Sequence, residues 1–251
     1  MQLVAVTALG VGGATVLGAV LGFLFKKIPH NLRDAVLGFA AGVMLAAAVL
    51  GLIVPSYEHT APHGVWITVL GVVCGGLFLN FADRLTPHLH HLTGMDKETH
   101  HGNASLNKVL LFVLAIAIHN LPEGLAAGVG FGAGDVGNAL TVAAGIALQN
   151  IPEGMVIISP LLLAGVGKGR TFAIAALTGV IEVIGTFLGY FAASFSAAVL
   201  PFALSFAGGT MLYIILDEMI PETHSHGHER LASWSLVAGF LVMLLMDVYI
   251  G

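Results

Sequence analysis

Eight stretches of predominantly apolar residues, at about 3–25, 36–57, 65–82, 107–128, 138–162, 170–192, 201–220 and 232–250, dominate this chain of 251 residues. About 20 such residues carry a helix across a bilayer, so the spacing predicts eight membrane-spanning helices. Composition agrees: 57% of residues are hydrophobic and 9% charged, whereas a soluble domain carries about a quarter charged residues. A soluble globule is excluded. The one cysteine, Cys74, leaves neither a disulfide framework nor a thiolate metal cluster. The first run starts at Gln2 with no basic segment before it and no small-residue cleavage pattern after it. It reads as a spanning helix rather than a removed signal.

The nine basic residues orient the bundle. Lys26, Lys27, Arg33, Arg84, Lys97, Lys108, Lys168, Arg170 and Arg230 all fall in or beside the connections one–two, three–four, five–six and seven–eight. Basic residues collect on the cytoplasmic side of a membrane. Both termini are therefore expected outside the cytoplasm, and residues 83–106 form the one long loop, cytoplasmic and rich in histidine. The whole chain reads as one transmembrane domain.

Against this apolar background, two short strings stand out: "HNLPEG" at 119–124 and "QNIPEG" at 149–154. Counting about 1.5 Å per residue from the basic or polar ends places His119, Gln149, Glu182 and Met44 each ~16–18 Å into a hydrocarbon layer ~30 Å thick. Four helices counted separately bring an unusual residue to one midplane. On helix four His119 and Glu123 share a face at i,i+4, with Asn120 at its edge, i,i+3 from Glu123. Gln149, Asn150 and Glu153 repeat the pattern on helix five. Pro122 and Pro152 remove amides that would have bonded the carbonyls of Ile118 and Leu148, which a membrane tolerates beside a polar cavity or partner.

Glu123, Glu153 and Glu182 then lie at midplane depth, with every lysine and arginine at the cytoplasmic ends. A buried carboxylate without a partner costs several kcal/mol. Protonation or a bound cation would relieve it. Protonation alone gives no use to an imidazole and three amides at the same depth. A divalent metal uses carboxylate and amide oxygens, the imidazole nitrogen and the Met44 thioether together. Two adjoining metal positions bridged by Glu123 and Glu153 use the constellation most economically. For each residue singly the plainer alternative is a helix–helix hydrogen bond or, for Met44, core filling.

H-N-x-P-E-G on helix four and Q-N-x-P-E-G on helix five resemble the ZIP (Zrt-, Irt-like) metal transporters, specifically the compact GufA-like bacterial branch. "GFAAGVMLAAAVLGLIVPSYE", 38–58, "ALTGVIEVIGTFLG", 176–189, and "GGTMLYIILDEMIPETH", 208–224, are similar to that family's second, sixth and seventh helices. The resemblance implies uptake of divalent transition metals, zinc most often, into the cytoplasm across a bacterial inner or plasma membrane. The metal is then a bound substrate rather than a prosthetic group. It implies one metal position at Met44, His119, Glu123, Gln149 and Glu153, and a second at Asn120, Glu123, Asn150, Glu153 and Glu182. It also suggests a homodimer in the lipid bilayer. No enzymatic activity and no nucleic-acid partner are expected. Many family members have histidine where Gln149 stands and some have aspartate where Asn150 stands, which leaves metal preference open among zinc, cadmium, iron, manganese and cobalt.

A short inverted symmetry fits a transporter. "AGVML", 41–45, and "GGTML", 208–212, are each followed by a proline ten or eleven residues past the methionine, Pro55 and Pro221. This pattern predicts an inverted repeat of helices 1–3 and 6–8 around helices 4–5, with alternating access about the midplane. The motion expected is a shift of those outer helices relative to four and five. "HLHHLTGMDKETHH", 88–101, and "HSHGH", 224–228, read as weak metal-capturing or merely solvated segments on the exit side, beside Asp217, Glu218 and Glu222. "GAGD", 132–135, matches a string of intramembrane aspartyl proteases but sits in an outer turn. A proton or sodium carrier, a membrane di-metal hydrolase and a metal sensor stand as rival functions.

Overall fold

Helical conformation runs well past the apolar segments that announce it. The structure, a computed structural model, describes residues 1–24, 29–59, 64–85 and 104–251, with side chains omitted for 83–85 and 104–117. Among the described residues there are eight helices and no strand: α1 Gln2–Leu24, α2 His30–Glu58, α3 Val65–Leu85, α4 Ala104–Ala133, α5 Val136–Leu163, α6 Lys168–Phe195, α7 Leu200–Thr223 and α8 Glu229–Ile250. Seven of them are long and apolar enough to cross a membrane. Most ends fall a few residues outside the expected spans. Helix α2 starts six residues early, at His30 after Pro29, because a backbone already coiled keeps its hydrogen bonds where the sequence turns polar. The histidine-rich run 88–101 lies outside the described residues.

Two helices change pitch. In α2 the stretch Ala47–Ile53 is π-helical, and in α7 so is Ile215–Met219. Each ends two residues before a proline, Pro55 and Pro221. A proline ring clashes with the carbonyl four residues back, and a widened turn takes in an extra residue to relieve it. Helices α4 and α5 run through Pro122 and Pro152. The turn joining them is tight: Gly134 takes φ +82°, and the Asp135 side chain accepts from the Asn138 amide at 3.1 Å to cap α5. The "GAGD" string is thus a helix stop and a helix start.

The helices associate through small residues. The most extensive contacts are α4 with α6, α1 with α5, α2 with α8 and α3 with α7. At the crossing of α1 and α6 a Cβ on Gly12 would stand 2.3 Å from the Gly179 carbonyl oxygen, and one on Gly179 would stand 2.5 Å from that of Gly12. Backbone meets backbone there, as small-residue helix interfaces allow in membranes. The contacts recur in pairs. A Cβ on Gly154 would lie 2.2 Å from the Thr15 carbonyl oxygen, and one on Gly124 would lie 2.3 Å from that of Glu182. Thr15 and Glu182 are 167 positions apart, the same separation as Gly12 and Gly179. By contact, α1, α4, α5 and α6 form one group and α2, α3, α7 and α8 another.

Candidate metal centre

The proline-bearing middles of α4 and α5 bring their strings together with α6. Glu123, Gln149, Asn150 and Glu182 are fully buried, and Asn120 nearly so. Gln149 Nε2 donates to Glu123 Oε1 at 2.9 Å, joining α5 to α4. Asn150 Nδ2 donates to Glu182 Oε2 at 2.8 Å and to the Val11 carbonyl at 3.3 Å. Asn120 Nδ2 donates to Glu182 Oε1, which also accepts from Thr15 Oγ1 at 2.7 Å. Both asparagines therefore turn their amide nitrogens to the same carboxylate.

That choice leaves oxygen over. An amide has two donor hydrogens on one end and an acceptor oxygen on the other. With the nitrogens committed to glutamates, Gln149 Oε1 and Asn150 Oδ1 receive no hydrogen bond among the described residues, and neither does Glu123 Oε2. All three are buried, and buried polar groups without partners are rare and costly. Acceptors alone, of hard oxygen, are what a metal cation takes.

His119 is partly accessible and bonds to α7. Its Nε2 lies 2.6 Å from Glu218 Oε1 on α7, the two side chains being 16% and 17% exposed. Glu153, partly buried, has His119 and Glu218 as its principal charged neighbours. Glu123 has Glu153 and Glu182 as its own. Met44 is fully buried in the apolar core against which Ile118 and Leu148 pack, the residues just before His119 and Gln149. It shares their layer, and no described hydrogen bond ties it to them. Among the described residues, the arginine pair is Arg33 with Glu222, near the end of α7, and no lysine or arginine forms an ion pair with Glu123, Glu153 or Glu182.

The donors fall short of a finished cage. Among the described residues no three His, Cys, Asp or Glu side chains converge closely enough to hold a metal, so amide oxygens or the thioether must complete any coordination. Two residues of the arrangement lie outside the sequence-based set. Thr15 gave one faint signal, a hydroxyl on the small-residue stripe of α1 that includes Gly12 and Gly18. Glu218 was read as an acid of the exit side, whereas it is bonded directly to His119.

Residues 90–247 match the family model described as ZIP zinc transporter. The chain is 40% identical to "Zinc transporter GufA" of Myxococcus xanthus, covering 98% of each chain. It is 38% identical to "Zinc transporter ZIPB" of Bordetella bronchiseptica over 95% of this chain and 78% of that one. To "Zinc transporter ZIP11" of Homo sapiens it is 32% identical over 95% of this chain and 94% of that one.

Proposed function

The chain belongs to the ZIP zinc transporter family, and from that premise we propose that it carries divalent transition-metal cations, zinc foremost, into the cytoplasm. It is a multi-pass membrane protein and a transporter rather than an enzyme. In this reading all eight helices span the bacterial inner or plasma membrane, with both termini outside and the 83–106 loop on the cytoplasmic side, a polarity supported by the basic residues.

One observation carries the assignment of the site: among the described residues the buried acceptor oxygens of Glu123, Gln149 and Asn150 have no hydrogen-bond partner, and the charged neighbours of Glu123 are the acids Glu153 and Glu182. An incoming metal ion exchanges water for Glu123 Oε2 and Gln149 Oε1, with Glu153, His119 and Met44 completing the first position. Glu123 and Glu153 bridge to a second position formed with Asn120, Asn150 and Glu182. For Asn120 to offer its oxygen there, its amide must turn and release Glu182. For His119 to ligate, it must release Glu218. Since Glu218 belongs to α7 and His119 to α4, that exchange crosses the boundary between the two helix groups. Metal binding then favours one placement of α1, α4, α5 and α6 against α2, α3, α7 and α8 over the other. A ligand shifts such an equilibrium only by binding its two states differently, and His119 supplies the difference. This grouping differs from the motion expected from the sequence, a shift of helices 1–3 and 6–8 against four and five, and the packing of α1 and α6 on α5 and α4 supports it.

Uptake of isotopic zinc by purified protein in liposomes tests the proposal. Zinc-dependent flux is expected in the wild type, with large losses in Glu123→Ala and His119→Ala. Equal rates in all three would remove the site, and ion flux independent of any transition metal would favour the proton or sodium carrier.

A further inference from the structure

Threonine and serine hydroxyls inside these helices can be compared. Those of Thr178, Thr186, Thr210, Thr223 and Ser205 all bond back to a carbonyl three or four residues earlier in their own helix, the habit of such side chains in helices. Two hydroxyls depart from it: that of Ser56 donates to the Pro201 carbonyl of α7 at 2.6 Å, and that of Thr15 reaches a carboxylate. The Thr15 hydroxyl, on a residue 1% exposed, donates to Glu182 Oε1 on another helix at 2.7 Å.

Its position explains why. Thr15 on α1 stands where Glu182 stands on α6: each lies three residues past a glycine of the Gly12–Gly179 crossing. Each also offers its carbonyl oxygen to the glycine of a P-E-G string, Gly154 or Gly124. A molecule identical in both halves would set a second carboxylate against Glu182 at hydrogen-bond distance, and like charges so placed repel strongly. A hydroxyl turns that repulsion into a donor–acceptor bond.

We infer that Thr15 is a positioning residue for the metal pathway: it fixes the Glu182 carboxylate, so that this group stays oriented when Asn120 turns its oxygen toward a cation and Asn150 is drawn to the same ion. The inference rests on the transport reading above. Of the three donors on Glu182, the two amides belong to the strings expected to ligate, and Asn120 must leave for its oxygen to serve, whereas Asn150 already has its Oδ1 uncommitted among the described residues. Thr15 has no such second duty. Without it Glu182 keeps its charge but loses its fixed direction, and the second metal position weakens while the first is untouched.

The test compares Thr15→Val, of equal shape without the hydroxyl, with Thr15→Ser. In liposomes, Thr15→Val is expected to raise the half-saturating zinc concentration about five- to ten-fold, with the maximal rate within about two-fold of wild type. Thr15→Ser is expected to restore wild-type behaviour. In a Glu182→Gln background Thr15→Val should add no more than about a two-fold change, since linked residues are not additive. Should Thr15→Val fail to yield a monodisperse protein, Thr15→Cys is read by the same criteria. Wild-type kinetics in Thr15→Val, a serine variant as impaired as valine, or an undiminished effect beside Glu182→Gln would each overturn the inference. Infrared difference spectra of the Glu182 carboxylate, assigned by its loss in Glu182→Gln, separate the two claims. A stretch that shifts in Thr15→Val supports the positioning role even if the wild type carries no zinc, a result that would sink only the transport reading. An unshifted stretch overturns the role.

Discussion

Helices α4 and α5 carry nearly the same string through the middle of the molecule, and they use it in opposite directions. On α5 the leading residue, Gln149, turns inward and bonds Glu123. On α4 the leading residue, His119, turns outward to Glu218 on α7. The second residues, Asn120 and Asn150, behave alike and converge on Glu182. The two carboxylates are unlike: Glu182 accepts from three donors, whereas among the described residues Glu123 keeps one oxygen without a partner. A duplicated motif has thus become a site with a sealed side and a receptive side. The single histidine sits at the boundary where the two helix groups meet.

Removing what the receptive side depends on should do the most damage. Glu123→Ala is expected to lower zinc uptake in liposomes at least about 100-fold, because it deletes the free oxygen and the bridging carboxylate together. Next come the two seams, whose equivalence can be tested directly. Gly124→Ala and Gly154→Ala would each drive a methyl group against a backbone oxygen, costing about 1–3 kcal/mol or more. Thermal unfolding in detergent should show comparable falls for both, and a large fall in only one would show that the halves are not packed alike. His119→Gln gives the two strings the same polar residues and should reduce uptake about ten- to 100-fold, the α4–α7 exchange being lost. Glu182→Ala should leave a partial defect of about three- to ten-fold in the same assay, since in the proposed arrangement it would serve one position of two. A variant as inactive as Glu123→Ala would end the two-position picture. The mildest change is Gln149→His, which gives α5 the lead residue of α4. It should keep transport and shift competition between zinc and manganese about two- to three-fold toward zinc, because imidazole suits zinc and amide oxygen suits manganese.

The features legible in the sequence were those that depend on counting. Segment number and the common depth of His119, Gln149 and Glu182 follow from rise per residue and from where charge is tolerated. The pairing of Met44 with Met211 and Pro55 with Pro221 was visible as spacing, and the two π-helical stretches sit between those markers. That the chain widens there was not legible, since a proline can also kink or end a helix. Thr15 escaped notice because a hydroxyl in an apolar run is ordinarily consumed by its own helix. The partnership of His119 with Glu218 joins residues 99 apart, and nothing local in either helix announces it. Helix ends were misjudged wherever the backbone continued past the greasy stretch, most clearly at His30.

The glycine crossings have one more consequence. Where Gly12 lies on Gly179, and Gly124 and Gly154 lie on their neighbours' carbonyls, no glycine side chain gives up rotamers, so the fastening avoids the entropy that ordering leucines or methionines there would cost. Nor is there room in those places for a larger residue to strengthen the grip. Adaptation of this protein to a hotter or stiffer membrane has its latitude elsewhere, on the leucines and phenylalanines that α3, α6 and α8 turn outward, while the helices around the glutamates keep the geometry they have.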